Sequence, residues 1–174
     1  MTDGLLLGPG AGFQISGAGM TLKVGDEHSR AWSAFETVVC PGFDVGAHLH
    51  NHAEEFFYIL DGELDLLAFE PRAEPAGDWR DWESANGLRV MRGRPGAAMF
   101  VPAGCPHAFA NPGRGPARML FLVSPPGHEH YGSQFRVFRN CHRLNRIERT
   151  KSSQNDLPEA TSRKRRRARA NRGP

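Results

Sequence analysis

Histidines and glutamates are concentrated in one short stretch of this 174-residue sequence, GFDVGAHLHNHAEEFFYILDG. Successive side chains of an extended strand point to opposite faces, so His48 and His50 lie on one face and can grip one ion together. A turn after them would bring Glu55 back at the start of the next strand. A fourth ligand must come from elsewhere, and the segment PAGCPHAFAN offers His107 at a turn-to-strand junction.

Three imidazoles and one carboxylate suit a divalent transition metal, which could be Fe, Mn, Ni, Cu or Zn. Such a set leaves positions open on an octahedral ion, and open positions are where a substrate or O₂ binds. Glu55 has a second possible role, as a base that detaches from the ion. The competing interpretation is a solvated loop of mixed charge. His52 fits the ligand spacing less well and is expected in the turn.

The elements that must position these residues are short strands. The chain has 20 Gly and 13 Pro, and its apolar segments alternate with turns. Such a pattern predicts a β-sandwich or barrel and no helix before residue 127. Asp61-Gly62 predicts a hairpin with a type I′ turn. Residues 71–86 are expected to form a surface loop or a lid. The predicted strands cover residues 21–24, 31–40, 55–70, 87–92, 96–102, 107–111 and 117–126.

Two motifs in this sequence resemble those of the cupin superfamily. The first, G-x5-H-x-H-x3/4-E-x6-G, matches Gly42, His48, His50, Glu55 and Gly62. The second, G-x5-P-x-G-x2-H-x3-N, matches Gly96, Pro102, Gly104, His107 and Asn111. Both are complete and in the right order, which is far more specific than an isolated H-x-H pair.

The resemblance implies a double-stranded β-helix, or jelly-roll barrel, with a metal inside. It also implies that His48, His50, Glu55 and His107 are the metal ligands. The domain organisation that follows is an N-terminal arm at residues 1–19, a barrel at 20–127 and a polar, basic tail at 128–174. A homodimer through edge strands and the arm is a further implication, and it would cover exposed sheet edges.

Among cupins the chain is similar to single-domain, quercetin-dioxygenase-like members, and in particular to small cupins of aromatic (type II) polyketide and spore-pigment clusters. The stretches FETVVCPGFDVGAHLHNHAEEFFYILDGE and FVPAGCPHAFANPGRGPARMLFLVSPPG carry this similarity. It implies a metal-dependent oxygenase or a polyketide cyclase that acts on a small aromatic molecule in antibiotic or pigment biosynthesis. The alternatives are a dioxygenase of another substrate class and a non-catalytic ligand-binding or assembly module.

Charge is divided unevenly along the chain. Residues 141–174 contain eleven Lys/Arg and three Asp/Glu, a balance of +8, so the remaining residues carry −5 of the total +3. The tail at residues 128–174 is predicted to be disordered, with a reading-frame shift over residues 132–174 as the alternative. It lacks interleaved aromatics in its basic run, so nucleic-acid binding is not expected. His128 and His130 are expected in an exposed polar loop, with a second metal pair as the alternative.

The cellular location is expected to be cytoplasmic. The N-terminus MTDGLLLGPGAGF is a poor signal peptide, and no apolar run is long enough to cross a bilayer. Three widely spaced cysteines do not indicate a disulfide scaffold and favour a reducing compartment.

Overall fold

Nine β-strands make up most of the regular structure in residues 3–15, 19–73 and 76–130, which are the residues that the computed structural model describes. Two single-turn 3-10 helices, Trp79–Asp81 and His128–His130, are the only helices in these ranges, so the prediction of an all-β chain is confirmed. The strands are β1 (Phe13–Ile15), β2 (Met20–Val24), β3 (Ser33–Val39), β4 (Glu54–Asp61), β5 (Leu64–Ala68), β6 (Met91–Gly93), β7 (Ala98–Val101), β8 (His107–Ala110) and β9 (Ala117–Ser124).

The strands form two antiparallel sheets around one core. The larger sheet has the order β1-β2-β3-β9-β4-β7 and the smaller has the order β6-β5-β8. The segment before β4 runs beside β8, where the Val45 N–H donates to the Phe109 carbonyl (3.1 Å). Both sheets contribute to the core, which is what a jelly-roll barrel requires. Its buried residues include Phe35, Val39, Phe57, Ile59, Leu64, Leu66, Met99, Val101, Phe109, Met119, Phe121 and Val123.

Strand β4 shows most clearly how the sequence directs side chains into the barrel. Its residues alternate between exposed and buried, and Glu55 shares the buried face with Phe57 and Ile59. Phe57 stacks on Phe121 with ring centroids 5.4 Å apart, so these apolar neighbours of the predicted ligand are core residues. A carboxylate on this face therefore lies in an otherwise apolar interior, where a charge needs a partner.

The hairpin predicted at Asp61-Gly62 does not form: the turn joins β4 to β5, but β4 pairs with β7 and β9 in the larger sheet and β5 pairs with β6 and β8 in the smaller one. The turn is not of type I′ either. That turn type needs a positive φ at two consecutive residues, and in the described chain every residue with positive φ is a glycine. Gly62 has φ +75°, and a Cβ there would lie 2.7 Å from the Ala117 Cα. Asp61 instead ends the strand and accepts the Gly62 N–H (3.0 Å).

The loop at residues 71–86 is held against the outer face of the smaller sheet. The indole of Trp79 is buried and donates to Asp44 Oδ1 (3.1 Å). It packs on Leu67, Ala108 and Ala110, which alternate with the inward-facing residues of their strands. The described part of this loop thus covers the outside of the barrel, which favours the surface-loop prediction over the lid.

Other expectations meet the structure only in part. The strand β1 lies in the predicted N-terminal arm and pairs with β2, but the predicted bounds 1–19, 20–127 and 128–174 stay predictions. The basic tail from residue 131 onward lies outside the described residues. In the described part of the chain, no helix is long and apolar enough to cross a membrane. Cys40 is disulfide-bonded, so the cysteines no longer argue for a reducing compartment, and a cytoplasmic location stays a prediction.

Candidate metal centre

Three of the four predicted ligands converge inside the barrel. His48 and His50 lie in the segment that leads into β4, and His107 is the first residue of β8. One ring nitrogen from each of these histidines lies within 4.8 Å of the others, a spacing that a single ion can bridge. Their ring centroids are 4.2 Å apart for His48 and His107, and 5.1 Å apart for His48 and His50.

The backbone fixes the relative positions of His48 and His107. The His48 N–H donates to the His107 carbonyl (3.0 Å), and the His107 N–H donates to the His48 carbonyl (2.8 Å). The two residues therefore form a hydrogen-bonded antiparallel pair, whose side chains project from the same face. The turn before β8 is tied to this segment as well, because the Gly104 N–H donates to the His50 carbonyl (2.8 Å).

Hydrogen bonds at Nδ1 also set the tautomer of these two rings. His48 Nδ1 lies 3.0 Å from the Gly46 carbonyl, and His107 Nδ1 lies 3.1 Å from the Cys105 carbonyl. A carbonyl oxygen only accepts, so each Nδ1 carries the hydrogen. In the neutral ring the lone pair is then on Nε2, the arrangement found when a histidine binds a metal through Nε2.

Glu55, from β4, places its carboxylate against the rings of His107 and His50. Glu55 Oε2 lies 2.9 Å from His107 Nε2, and Oε1 lies 3.5 Å from His50 Nε2. The His107 Nε2 atom is buried and has no partner with hydrogen-bond geometry, despite the short distance to Glu55. The angles therefore do not suit a proton shared between them, and two acceptor atoms face each other in a dry interior.

Burial affects the charge of the more accessible histidines. It lowers the pKa of His48, against a raising effect of the Gly46 carbonyl. Burial also lowers the pKa of His50, against the nearby carboxylate of Glu55, which raises it. Both rings are thus neutral at pH 7 and have lone pairs to offer.

These observations agree with what a cation-binding site needs. Three imidazole nitrogens converge, the Glu55 carboxylate lies against two of them, and one of these nitrogens, His107 Nε2, is buried without a hydrogen-bond partner. A cation held between His107 Nε2 and the Glu55 carboxylate would relieve the contact between two acceptors. The donor set is that of a borderline transition metal rather than of Mg²⁺ or Ca²⁺, which prefer oxygen ligands.

The second sequence motif forms the turns that hold His107 in place. The amide of Asn111 donates to the Val39 carbonyl (2.8 Å) and the Gly115 carbonyl (2.9 Å). Its Oδ1 accepts the Gly113 N–H (2.8 Å). Asn111 therefore links the end of β8 to the end of β3 and to the turn that follows.

Other candidate residues are placed differently. His52 is exposed and lies outside the histidine group, in agreement with its expected turn position. Burial, followed by the charge of Glu70, raises the pKa of the free thiol of Cys105, which makes it a poor nucleophile at neutral pH. His128 and His130 do not act as a pair: the ring of His128 contacts that of His50, and His130 Nε2 lies 2.8 Å from Asp26 Oδ2.

The approach of His128 to His50 was not predicted from the sequence. The His128–His130 turn follows the last strand, and nothing in its local sequence specifies which side of the barrel it covers. The spacing of the two histidines in HEH was the only local signal of a role for His128, and the sequence of this segment favoured an exposed loop.

Comparison with known proteins agrees with this fold. A family model described as Cupin matches residues 23–155, most of the chain. The chain belongs to the cupin family. This cupin is 30% identical over 88 residues to "Polyketide synthase CurC" of Streptomyces cyaneus, a match that covers 51% of the chain. The chain spans about half (46%) of that relative's length.

Solved structures resemble the cupin more distantly. The structure of KdgF from Halomonas sp. has a TM-score of 0.46 and 18% identity, covering 64% of this chain and 84% of that one. The DMSP lyase DddQ from Ruegeria pomeroyi DSS-3 has a TM-score of 0.44 and 25% identity, covering 60% of this chain and 45% of that one. At these TM-scores neither structure bears on function.

Proposed function

We propose that this cupin binds one divalent transition metal through His48, His50, Glu55 and His107 and acts on a small molecule. The observation that carries the proposal is the buried, unpartnered Nε2 of His107, which faces the Glu55 carboxylate beside two neutral imidazoles. When bound, such an ion supplies Lewis-acid or one-electron chemistry to a molecule in its open coordination positions.

The chain's own residues would divide the remaining work. Phe57, with its ring centroid 6.4 Å from that of His107, provides a dry, apolar floor beneath the site. His50 lies on the more accessible side, where a small molecule would enter. Glu55 holds the ion, and it is also the residue best placed to accept a proton from the substrate.

The substrate class that we propose is an aromatic polyketide, and the reaction is its oxidative tailoring or cyclisation in antibiotic or pigment biosynthesis. The two cupin motifs and the partial similarity to CurC of Streptomyces cyaneus support this choice. A dioxygenase of another substrate class would use the same site residues. The ring-rich core is compatible with a planar aromatic ligand, because aromatic faces favour offset stacking.

Metal analysis of the purified protein tests the site. We expect close to one transition-metal ion per chain in the wild type and loss of it in His107→Ala. His52→Ala is the matched control, because His52 is an exposed histidine of the same segment and should keep the ion. Metal-free wild-type protein that also fails to take up Fe, Mn, Ni, Cu or Zn on dialysis would refute the proposal.

Product analysis tests the reaction. The wild-type chain and His107→Ala would each be co-expressed with an aromatic polyketide synthase, and the products compared by mass spectrometry. A catalyst changes the products in the wild type only. If the wild type and the metal-free variant change them equally, the chain is a non-catalytic assembly or ligand-binding module. A chain that loads with metal but never changes the products would leave the metal site standing and refute the polyketide role.

A further inference from the structure

The candidate metal centre is accessible to solvent on the side of His50. The side chains of His107 and Glu55 are 1% and 6% exposed, whereas that of His50 is 29% exposed, and His48 is half-buried as well. A small molecule can therefore reach the centre from solvent past His50. Whatever lies beside His50 lines that opening.

The residue beside His50 is His128, from the 3-10 turn after β9. The two rings meet edge to face, with centroids 5.8 Å apart and an interplanar angle of 83°. His128 is half-buried, so it lies at the rim of the site rather than free on the surface. Because its ring is outside the group of histidines that can share one ion, it is not a further ligand of that group.

The position of this turn is fixed by Glu129. One carboxylate oxygen accepts the Asp26 N–H (2.7 Å), and the other accepts the Ser33 hydroxyl (2.7 Å) and the Gly127 N–H (3.1 Å). The bonds from Asp26, in the connection between β2 and β3, and from Ser33, the first residue of β3, hold the turn against this part of the barrel, and the bond from Gly127 closes the turn itself. His130 points the other way, to Asp26, so within the turn only His128 is directed to the opening.

We propose that His128 binds and orients the small molecule at the metal centre by donating a hydrogen bond to one of its oxygen atoms, and that Glu129 is the positioning residue that holds His128 there. The ligand class is a molecule with a phenolate or enolate oxygen near the metal-bound atom. The inference rests on the proposed metal site, but it assigns specificity to a turn that neither cupin motif includes.

The test uses full-length protein loaded with Co(II), whose visible bands report the coordination of the metal. The probe is 4-nitrocatechol, a coloured diphenol, titrated into the wild type and variants. We expect His128→Ala to weaken probe binding by about 5- to 10-fold, the effect of one lost hydrogen bond, with unchanged Co(II) stoichiometry and bands. His128→Asn should restore part of the affinity, since an amide also donates.

Two further variants separate orientation from folding. His130→Ala is the matched control in the same turn and should bind the probe within twofold of wild type. Glu129→Ala should weaken binding as His128→Ala does, and the double variant should be no worse than either single variant, because both remove the same contact.

The two proposals fail in different ways. Wild-type protein that takes up no Co(II) refutes the metal site, and this inference with it. Full Co(II) loading with equal probe affinity in wild type and His128→Ala, or no probe binding by the loaded wild type, overturns the role of His128 alone.

Discussion

His107 Nε2 lies 2.9 Å from Glu55 Oε2 in the interior of the barrel, and the two atoms do not form a hydrogen bond. The His107 ring donates through Nδ1 to a backbone carbonyl, so in the neutral ring Nε2 presents a lone pair to an acceptor oxygen. Holding this contact in an apolar interior costs free energy unless a cation lies between the two groups. In the proposed metal site, this pair would therefore couple metal binding to stability.

Glu55→Gln should weaken metal binding and, at the same time, leave the metal-free protein as stable as before or more so. The amide keeps the shape of the side chain but removes a buried charge, which is worth about 1 kcal/mol or more in stability. A gain of that size raises the Tm by about 4 °C in a domain of this length. Metal titration and thermal unfolding with a chelator measure the two effects.

The control for that variant is Glu54→Gln, because Glu54 is the exposed neighbour on the same strand. It should change neither metal affinity nor Tm. Unaltered metal affinity in Glu55→Gln, together with lost turnover, would make Glu55 a base and not a ligand.

Glu129→Gln should destabilise the protein at neutral pH but not in acid. Burial tends to raise the pKa of Glu129, but hydrogen bonds from Ser33 and from backbone N–H groups outweigh it, so the pKa is lowered from its ordinary 4.5. A lowered folded-state pKa contributes stability above the unfolded value, and this contribution is lost as the pH falls through the folded value.

Chemical unfolding of the wild type and Glu129→Gln between pH 3 and pH 7 measures this difference. We expect about 1 kcal/mol at pH 7, after allowing for partial exposure, and a difference that shrinks as the pH falls below 4.5. A difference that is constant across this pH range would contradict the role of the ionised carboxylate.

Gly62→Ala should be more destabilising than Gly96→Ala. Both glycines have positive φ, +75° and +93°, so an added methyl group strains the backbone at each position. Only at Gly62 does the new Cβ meet backbone, 2.7 Å from the Ala117 Cα, whereas at Gly96 the nearest atom is 4.0 Å away. We expect a cost of about 1 kcal/mol at Gly96 and about 2–4 kcal/mol at Gly62, measured by urea unfolding. Equal costs would mean that the strand termini move apart without penalty.

The predicted homodimer is testable on the outer face of the larger sheet. Phe56 and Tyr58 of β4 are exposed there, and Phe56 pairs across strands with Phe100, which is 57% exposed. Phe100→Asp should shift the protein from dimer to monomer in light scattering after size exclusion. Met91→Asp, on β6 of the other sheet, is the control and should remain dimeric. A monomeric wild type would refute the dimer.

The convergence of the three histidines was predictable because its information is local. His48 and His50 are two residues apart, and the spacing within each motif places Glu55 and His107 at the ends of strands. Strand alternation then directs side chains inward without knowledge of the rest of the fold.

The turn that covers His50 was not predictable in this way. Glu129 fixes the turn by bonding to Asp26, 103 residues earlier in the chain, and no local pattern encodes that contact. The same holds for Trp79, whose indole bonds to Asp44, 35 residues away, and draws the polar loop onto the outside of the barrel. The type I′ hairpin was wrong for a different reason: Asp61-Gly62 marks a turn, but it does not specify whether the flanking strands pair, and both edges of β4 and of β5 are occupied by other strands.

The ring of His48 bonds to the Gly46 carbonyl, and the ring of His107 bonds to the Cys105 carbonyl, in each case two residues upstream. Both hydrogen bonds form within the chain, without a ligand. The orientation of the two rings is consequently set by folding and does not require a bound metal ion. We therefore expect that a chelator removes the proposed ion, and that another metal replaces it, at room temperature without unfolding of the chain, so that metal exchange can identify the ion that the proposed site prefers.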